Sequence, residues 1–144
     1  MARGIEALCR RDIVMLDVFS EHKAVIDSLL SLHFNNQLPH AVLVTSVSGI
    51  GLTRTASRLC TTLLCERDND GPCGECSSCS RASAGTHGDY RWLEVAEGKA
   101  SIGVDQIRDA GDFVAKTAGY GSQKILVISD AEKMTAGASN ALLK

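Results

Sequence analysis

The sequence predicts an α/β fold: a doubly wound parallel sheet of the P-loop type, carrying a four-cysteine insert. Three observations predict it. A glycine loop, Ser46 to Thr53, sits between the apolar run Ala41-Val42-Leu43-Val44 and a helical pattern. Strand-like segments at 41–44, 90–95 and 125–128 alternate with segments of helical spacing, the mark of parallel strands joined by crossover helices. Four cysteines gather after the loop's helix, at Cys65, Cys73, Cys76 and Cys79.

Composition sets the bounds. A chain of 144 residues with 44% apolar residues holds a real core, and a net charge of −2 gives no basic face for stand-alone nucleic-acid binding. No run reaches membrane-span length, and the N-terminus lacks an uninterrupted apolar signal core, so the expectation is a cytoplasmic chain with no membrane partner. Residues 1–18 read as an N-terminal extension without an assigned role, and residues 19–144 as one domain with a zinc module at 65–79. Ser139-Asn140-Ala141-Leu142-Leu143-Lys144 stops inside a helical pattern, so the domain is expected to be incomplete at its C-terminus.

The first helix begins near Ser20, a candidate N-cap, with Val25, Leu29 and Leu32 on one face and Ile26, Leu30 and Phe34 beside them. Gln37 to His40 turns into the first strand; His40 has no carboxylate partner beside it and reads as a loop residue. The glycine loop follows. Against the pattern G-x-x-x-x-G-K-[ST], Gly51 and Thr53 are in register, with Gly49 inside the loop, but Ser46 replaces the first glycine and Leu52 replaces the lysine. Leucine offers neither charge nor donor to a β- or γ-phosphate. Thr53 also has a plainer use, capping the helix start. Ala56, Leu59, Cys60, Leu63 and Leu64 carry that helix to Cys65, with Arg54, Arg58 and Arg67 expected on its exposed face.

Four thiols spaced by seven, two and two residues can converge on one tetrahedral Zn²⁺. Disulfide pairing is the weaker rival in a chain without an export signal, and redox C-x-x-C chemistry stays possible in principle. Cys9 and Cys60 are left over, Cys60 as core packing. Ser80 to Ala84 forms a short helical turn stopped by Gly85, and His87 and Asp89 lie in the turn before the second strand, Tyr90 to Val95. Without a nucleophile nearby, Asp89 reads as bonding its own turn backbone.

Glu97 to Ser101 is a polar connection. Val104, Ile107, Gly111, Val114 and Ala118 mark the next helix, with Asp105 early in it and Gly119 to Ser122 closing it. The third strand, Ile125 to Ile128, is apolar without alternation, as for a strand covered on both faces. After it, Ser129 stands where an active P-loop enzyme places its metal-holding Asp, and Asp130 where the following acid stands. Both halves of the nucleotide site are degraded at matched places, so no catalytic residue and no bound ATP are expected.

These residues resemble a known family. Leu38-Pro39-His40-Ala41, the glycine loop, the four cysteines, Ala84 to Tyr90, Gly103 to Arg108 and Ser139 to Lys144 are similar to the delta-prime subunits of bacterial DNA polymerase III, over about Phe19 to Lys144. One departure is Gly88, where that family usually has proline. The resemblance implies an AAA+-type domain without ATPase activity, serving as a stator in the clamp loader that places the sliding clamp on primed DNA during replication. It implies gamma/tau and delta subunits as partners, within a nucleotidyltransferase complex. The gamma/tau subunits are similar but keep the loop lysine and the acidic pair, which Leu52 and Ser129 lack. The family's arginine finger, lid and collar lie downstream of Lys144. An ATP-hydrolysing subunit of gamma/tau type and a zinc-dependent nucleic-acid adaptor are the alternatives.

Overall fold

A computed structural model describes residues 20–47, 51–67 and 71–143. The extension at 1–18 with Cys9, and Gly49 of the glycine loop, lie outside the described residues. The chain divides between Thr86 and His87 into two compact units.

The first unit is helical among the described residues. Helix α1 runs Ser20–Phe34, α2 Leu52–Leu64 and α3 Ser77–Ser83. Helix α1 starts at Ser20 itself and ends in a left-handed Asn36 (φ 54°), whose amide donates to His33 O while Gln37 N reaches back to Leu32 O. That pair of bonds satisfies the last carbonyls of the helix. Its buried face is Ile26 and Leu30, each 4% exposed, whereas Val25 and Leu32 point outward. The buried stripe therefore lies one position round from the expected one. Apolar residues flank both candidate stripes, so periodicity alone does not set the helix phase.

Helix α2 buries Thr55, Cys60, Thr61, Thr62 and Leu64. Three buried threonines carry three hydroxyls out of water. Each is satisfied by a carbonyl one turn back: Thr55 to Gly51, Thr61 to Ser57 and Thr62 to Arg58. Helix α3 is stopped by Gly85 at φ 70°, with Gly85 N bonded to Ala82 O and Thr86 N to Arg81 O.

The second unit holds the sheet. Strand β1 (Tyr90–Leu93) pairs in parallel with β2 (Ile125–Ile128), Tyr90 facing Ile125 and Leu93 facing Ile128. Helix α4 (Val104–Ala115) connects them, a 3₁₀ turn spans Ala131–Lys133, and α5 (Ala136–Leu142) follows. The core is Leu93, Ile102, Ile107, Ala110 and Ala138, with Val95, Leu126, Ile128, Met134 and Ala141 packed on it. Asp105 sits in the first turn of α4, and Gln106 closes the helix start by accepting from Gly103 N.

Two of the three expected strands are present. Residues 41–44 form no strand among the described residues; they are exposed, Leu43 at 81%, and no ladder partner takes up their amides and carbonyls. The second strand stops at Leu93 rather than Val95, and α4 ends at Ala115 as Lys116 turns extended. Strand β2 is only partly buried along its length, not covered on both faces. Among the described residues no helix is long and apolar enough to cross a membrane.

Candidate functional site

The four cysteines come together. Cys65 is the C-cap of α2, Cys73 lies in the loop beyond it, Cys76 is the N-cap of α3, and Cys79 is in that helix's first turn. Their sulfurs all lie within 4.8 Å of one another, Cys65 Sγ to Cys76 Sγ at 4.0 Å and Cys73 Sγ to Cys79 Sγ at 3.9 Å. A tetrahedron of sulfurs at roughly 2.3 Å from one ion has edges of roughly 3.8 Å, so the donor set fits a single metal ion. A disulfide needs sulfurs about 2.05 Å apart, and the cysteines are free thiols.

Local backbone aims these sulfurs. Gly74 adopts φ 75°, a left-handed turn that bends the chain between Cys73 and Cys76. Cys76 N donates to Cys73 Sγ and Cys79 N to Cys76 Sγ, both at 3.4 Å. The amides of Cys76 and Glu75 hold the Cys73 thiol down at about 6, which favours the thiolate a metal requires. Burial pushes the Cys79 thiol up instead. Cys60, outside the cluster, is pushed up to about 12 by burial and is chemically quiet, as core packing implies.

Around the sulfurs lies a polar brace that sequence reasoning missed. Glu66 Oε1 accepts from Ser77 Oγ at 2.7 Å and from Ser78 N at 3.1 Å, and Arg67 pairs with Glu75 at 3.1 Å. The Ser77 hydroxyl and the Ser78 amide lower the Glu66 carboxyl below its ordinary value. The signal was present as acid and base at 66–67 facing acid and hydroxyls at 75–78, but only the fold shows which pair meets.

Of the glycine loop, Ser46, Gly51, Leu52 and Thr53 lie among the described residues. Gly51, at φ 77°, is the N-cap of α2, and Leu52 is its first residue. Thr53 is exposed one position on, so Gly51 rather than Thr53 holds the cap position. Thr55 takes the structural role, donating to Gly51 O and meeting His22 Nδ1 at 2.7 Å. Ser46 is exposed, its hydroxyl on Val47 O at 3.2 Å. Arg54 and Arg58 are half-buried rather than exposed; Arg58 passes so close to Gly71 that an added Cβ there would meet its Nη2 at 2.7 Å. Arg67 is exposed as expected.

In the second unit, Ser129 directly follows β2, its amide donating to Leu93 O at 2.8 Å. Asp130 is left-handed at φ 53°, with its carboxylate 3.3 Å from Lys133 Nζ. Asp89 is 1% exposed and anchors a remote loop rather than its own turn. It accepts from the amides of Gly119, Tyr120 (2.6 Å) and Gly121 and lies 3.2 Å from Lys124 Nζ. Burial pushes its carboxyl up; the Gly119 and Tyr120 amides, Lys124 and the Gly121 amide outweigh it and hold the group at about 2. His87 is structural as well, its Nδ1 accepting from Asp89 N at 3.0 Å.

Residues 21–144 match the protein family described as "DNA polymerase III, delta subunit". The chain is 44% identical over 109 residues to the DNA polymerase III subunit delta′ of Pseudomonas aeruginosa, covering 75% of this chain and 33% of that protein. It is 41% identical over 105 residues to the delta′ subunit of Haemophilus influenzae, covering 73% and 32%. It is also similar to the DNA polymerase III subunit tau of Bacillus subtilis, 32% identical over 130 residues, covering 88% of this chain and 22% of that protein. The chain thus spans about a third of the length of the delta′ relatives it matches.

Proposed function

Because this chain belongs to the family of DNA polymerase III delta′ subunits, we propose that it supplies the nucleotide-inert AAA+-type domain of a clamp-loader stator. On this reading residues 19–144 form part of a doubly wound parallel domain in the cytoplasm. The domain contacts gamma/tau and delta subunits, and through the assembled loader acts on the sliding clamp and primed DNA.

The observation that carries the reading is Leu52. It opens α2 immediately after the left-handed Gly51, the place from which a P-loop lysine reaches the β- and γ-phosphates. Its side chain has no donor to offer there. Ser129, directly after β2, has no carboxylate for Mg²⁺. Phosphate and metal each lose their charged partner.

Cys65, Cys73, Cys76 and Cys79 hold one Zn²⁺ on this reading, since an all-thiolate tetrahedral set suits that ion. With four protein ligands the site is closed, so the ion's role is to cross-link the insert rather than to bind substrate.

The match to a tau subunit keeps an ATP-hydrolysing role as the second reading. The two separate in a reconstituted loader built from the full-length protein. Leu52→Ala should leave ATP turnover and clamp loading unchanged within about twofold, because that side chain does no phosphate chemistry. A tenfold loss of turnover would favour the hydrolysing role.

A further inference from the structure

The four sulfurs come from two separated stretches, Cys65 at the end of α2 and Cys73 to Cys79 beyond the loop. A metal ion alone could draw them together, at the entropic cost of closing that loop. The structure contains a second closure that uses no sulfur. Glu66 follows Cys65 directly, and its carboxylate oxygen accepts from Ser77 Oγ and Ser78 N, the two residues between Cys76 and Cys79. One side chain thus ties the first ligand's neighbour to the span between the last two ligands. Arg67 and Glu75 close the same loop, but their side chains are 56% and 75% exposed, and an ion pair so open contributes little. Glu66 and Ser77 are exposed too, and what sets the Glu66 contact apart is that it also takes the backbone amide of the buried Ser78.

We propose that Glu66 is a positioning residue for the metal centre, a clasp that holds Cys65 against the Cys76–Cys79 turn so that the ion meets a site already assembled. This rests on the reading of the four cysteines as a metal site. Charge-assisted bonds such as these are the stronger kind, and groups that orient ligands from outside typically change metal affinity roughly 10- to 100-fold when removed.

Competition titration of the full chain with Zn²⁺ against a chromogenic chelator tests the proposal, with Co²⁺–thiolate absorption reporting four-sulfur ligation. Glu66→Ala should lower Zn²⁺ affinity roughly 10- to 100-fold and keep the four-sulfur Co²⁺ spectrum. Glu66→Gln should recover most of the loss, because its amide oxygen still accepts from Ser77, and Arg67→Ala should stay within about twofold. Should Glu66→Ala fail to fold, Ser77→Ala decides: it removes the shorter bond, and an affinity drop of about threefold or more supports the clasp. Wild-type affinity in Glu66→Ala, or in Ser77→Ala, would overturn the clasp alone. A wild-type chain that takes up no Zn²⁺ would overturn the metal reading and the clasp with it.

Discussion

Replacing Asp89 by Asn tests how the second unit is held together. The carboxylate is 1% exposed and collects three backbone amides and the Lys124 ammonium, itself 10% exposed and 4.4 Å above the Phe113 ring. Asparagine keeps the size but brings an NH₂ donor to a place crowded with donors, and it leaves Lys124 without its ion pair. Breaking a buried pair from one side costs about 3–5 kcal/mol. Lys124→Met should cost less, about 1–3 kcal/mol, since the amides still satisfy the carboxylate. Against a typical domain stability of about 5–15 kcal/mol the Asp89 loss is large, and in urea it moves the midpoint by on the order of 2 M. Acid gives a second reading of the same group. A carboxyl held at about 2, against an ordinary 3.8, contributes stability that is present above the ordinary value and lost as pH falls through 4 towards 2. The gap between wild type and Asp89→Asn should therefore narrow over that window. A variant within about 0.5 kcal/mol of wild type at pH 7, or a gap that acid leaves unchanged, would show that the Asp89 carboxylate does not anchor this unit.

Cys76→Ser should take metal content, measured by elemental analysis, from about one ion per chain to near zero. Serine is itself a good N-cap, so lost stability in this variant reports the ion rather than the α3 cap. Gly137→Ala should change sign with its background. An added Cβ would meet Val104 Cγ2 at 2.9 Å, so overpacking of about 1–3 kcal/mol outweighs the gain in helix propensity. In a Val104→Ala chain the same change should stabilise by up to about 1 kcal/mol, and thermal melts of the four chains would show it.

What was legible in the sequence was mostly local. The helix stop at Gly85, the extent of β2 and the convergence of Cys65, Cys73, Cys76 and Cys79 follow from residues a few positions apart, where turn and cap chemistry speaks directly. Asp89 does lie in a turn with a structural role, as its sequence context implies, but its carboxylate's partners lie some 30 residues along the chain, where no spacing rule reaches. The buried stripe of α1 lies one residue round from the expected one, since Val25 and Leu29, apolar as well, directly precede Ile26 and Leu30. Residues 41–44 have strand composition, but a strand also needs a ladder partner, which composition does not supply. Glu66 gives no signal in the sequence because a charged residue beside a cysteine looks like any solvated surface residue until the donors that meet it, Ser77 Oγ and Ser78 N, are placed.

On the proposed reading, Leu52 at the start of α2 leaves phosphate without a charged partner. Calorimetric titration of the chain with Mg·ATP, beside Leu52→Lys and Leu52→Lys/Ser129→Asp, tests it most directly. Each missing charged contact is worth about 1.5–3 kcal/mol, so the wild-type loop should bind roughly two to four orders of magnitude more weakly than an intact one. Leu52→Lys should strengthen binding without turnover, because Ser129 still gives the metal no carboxylate. Micromolar affinity or steady hydrolysis by the wild-type chain would contradict a nucleotide-inert domain.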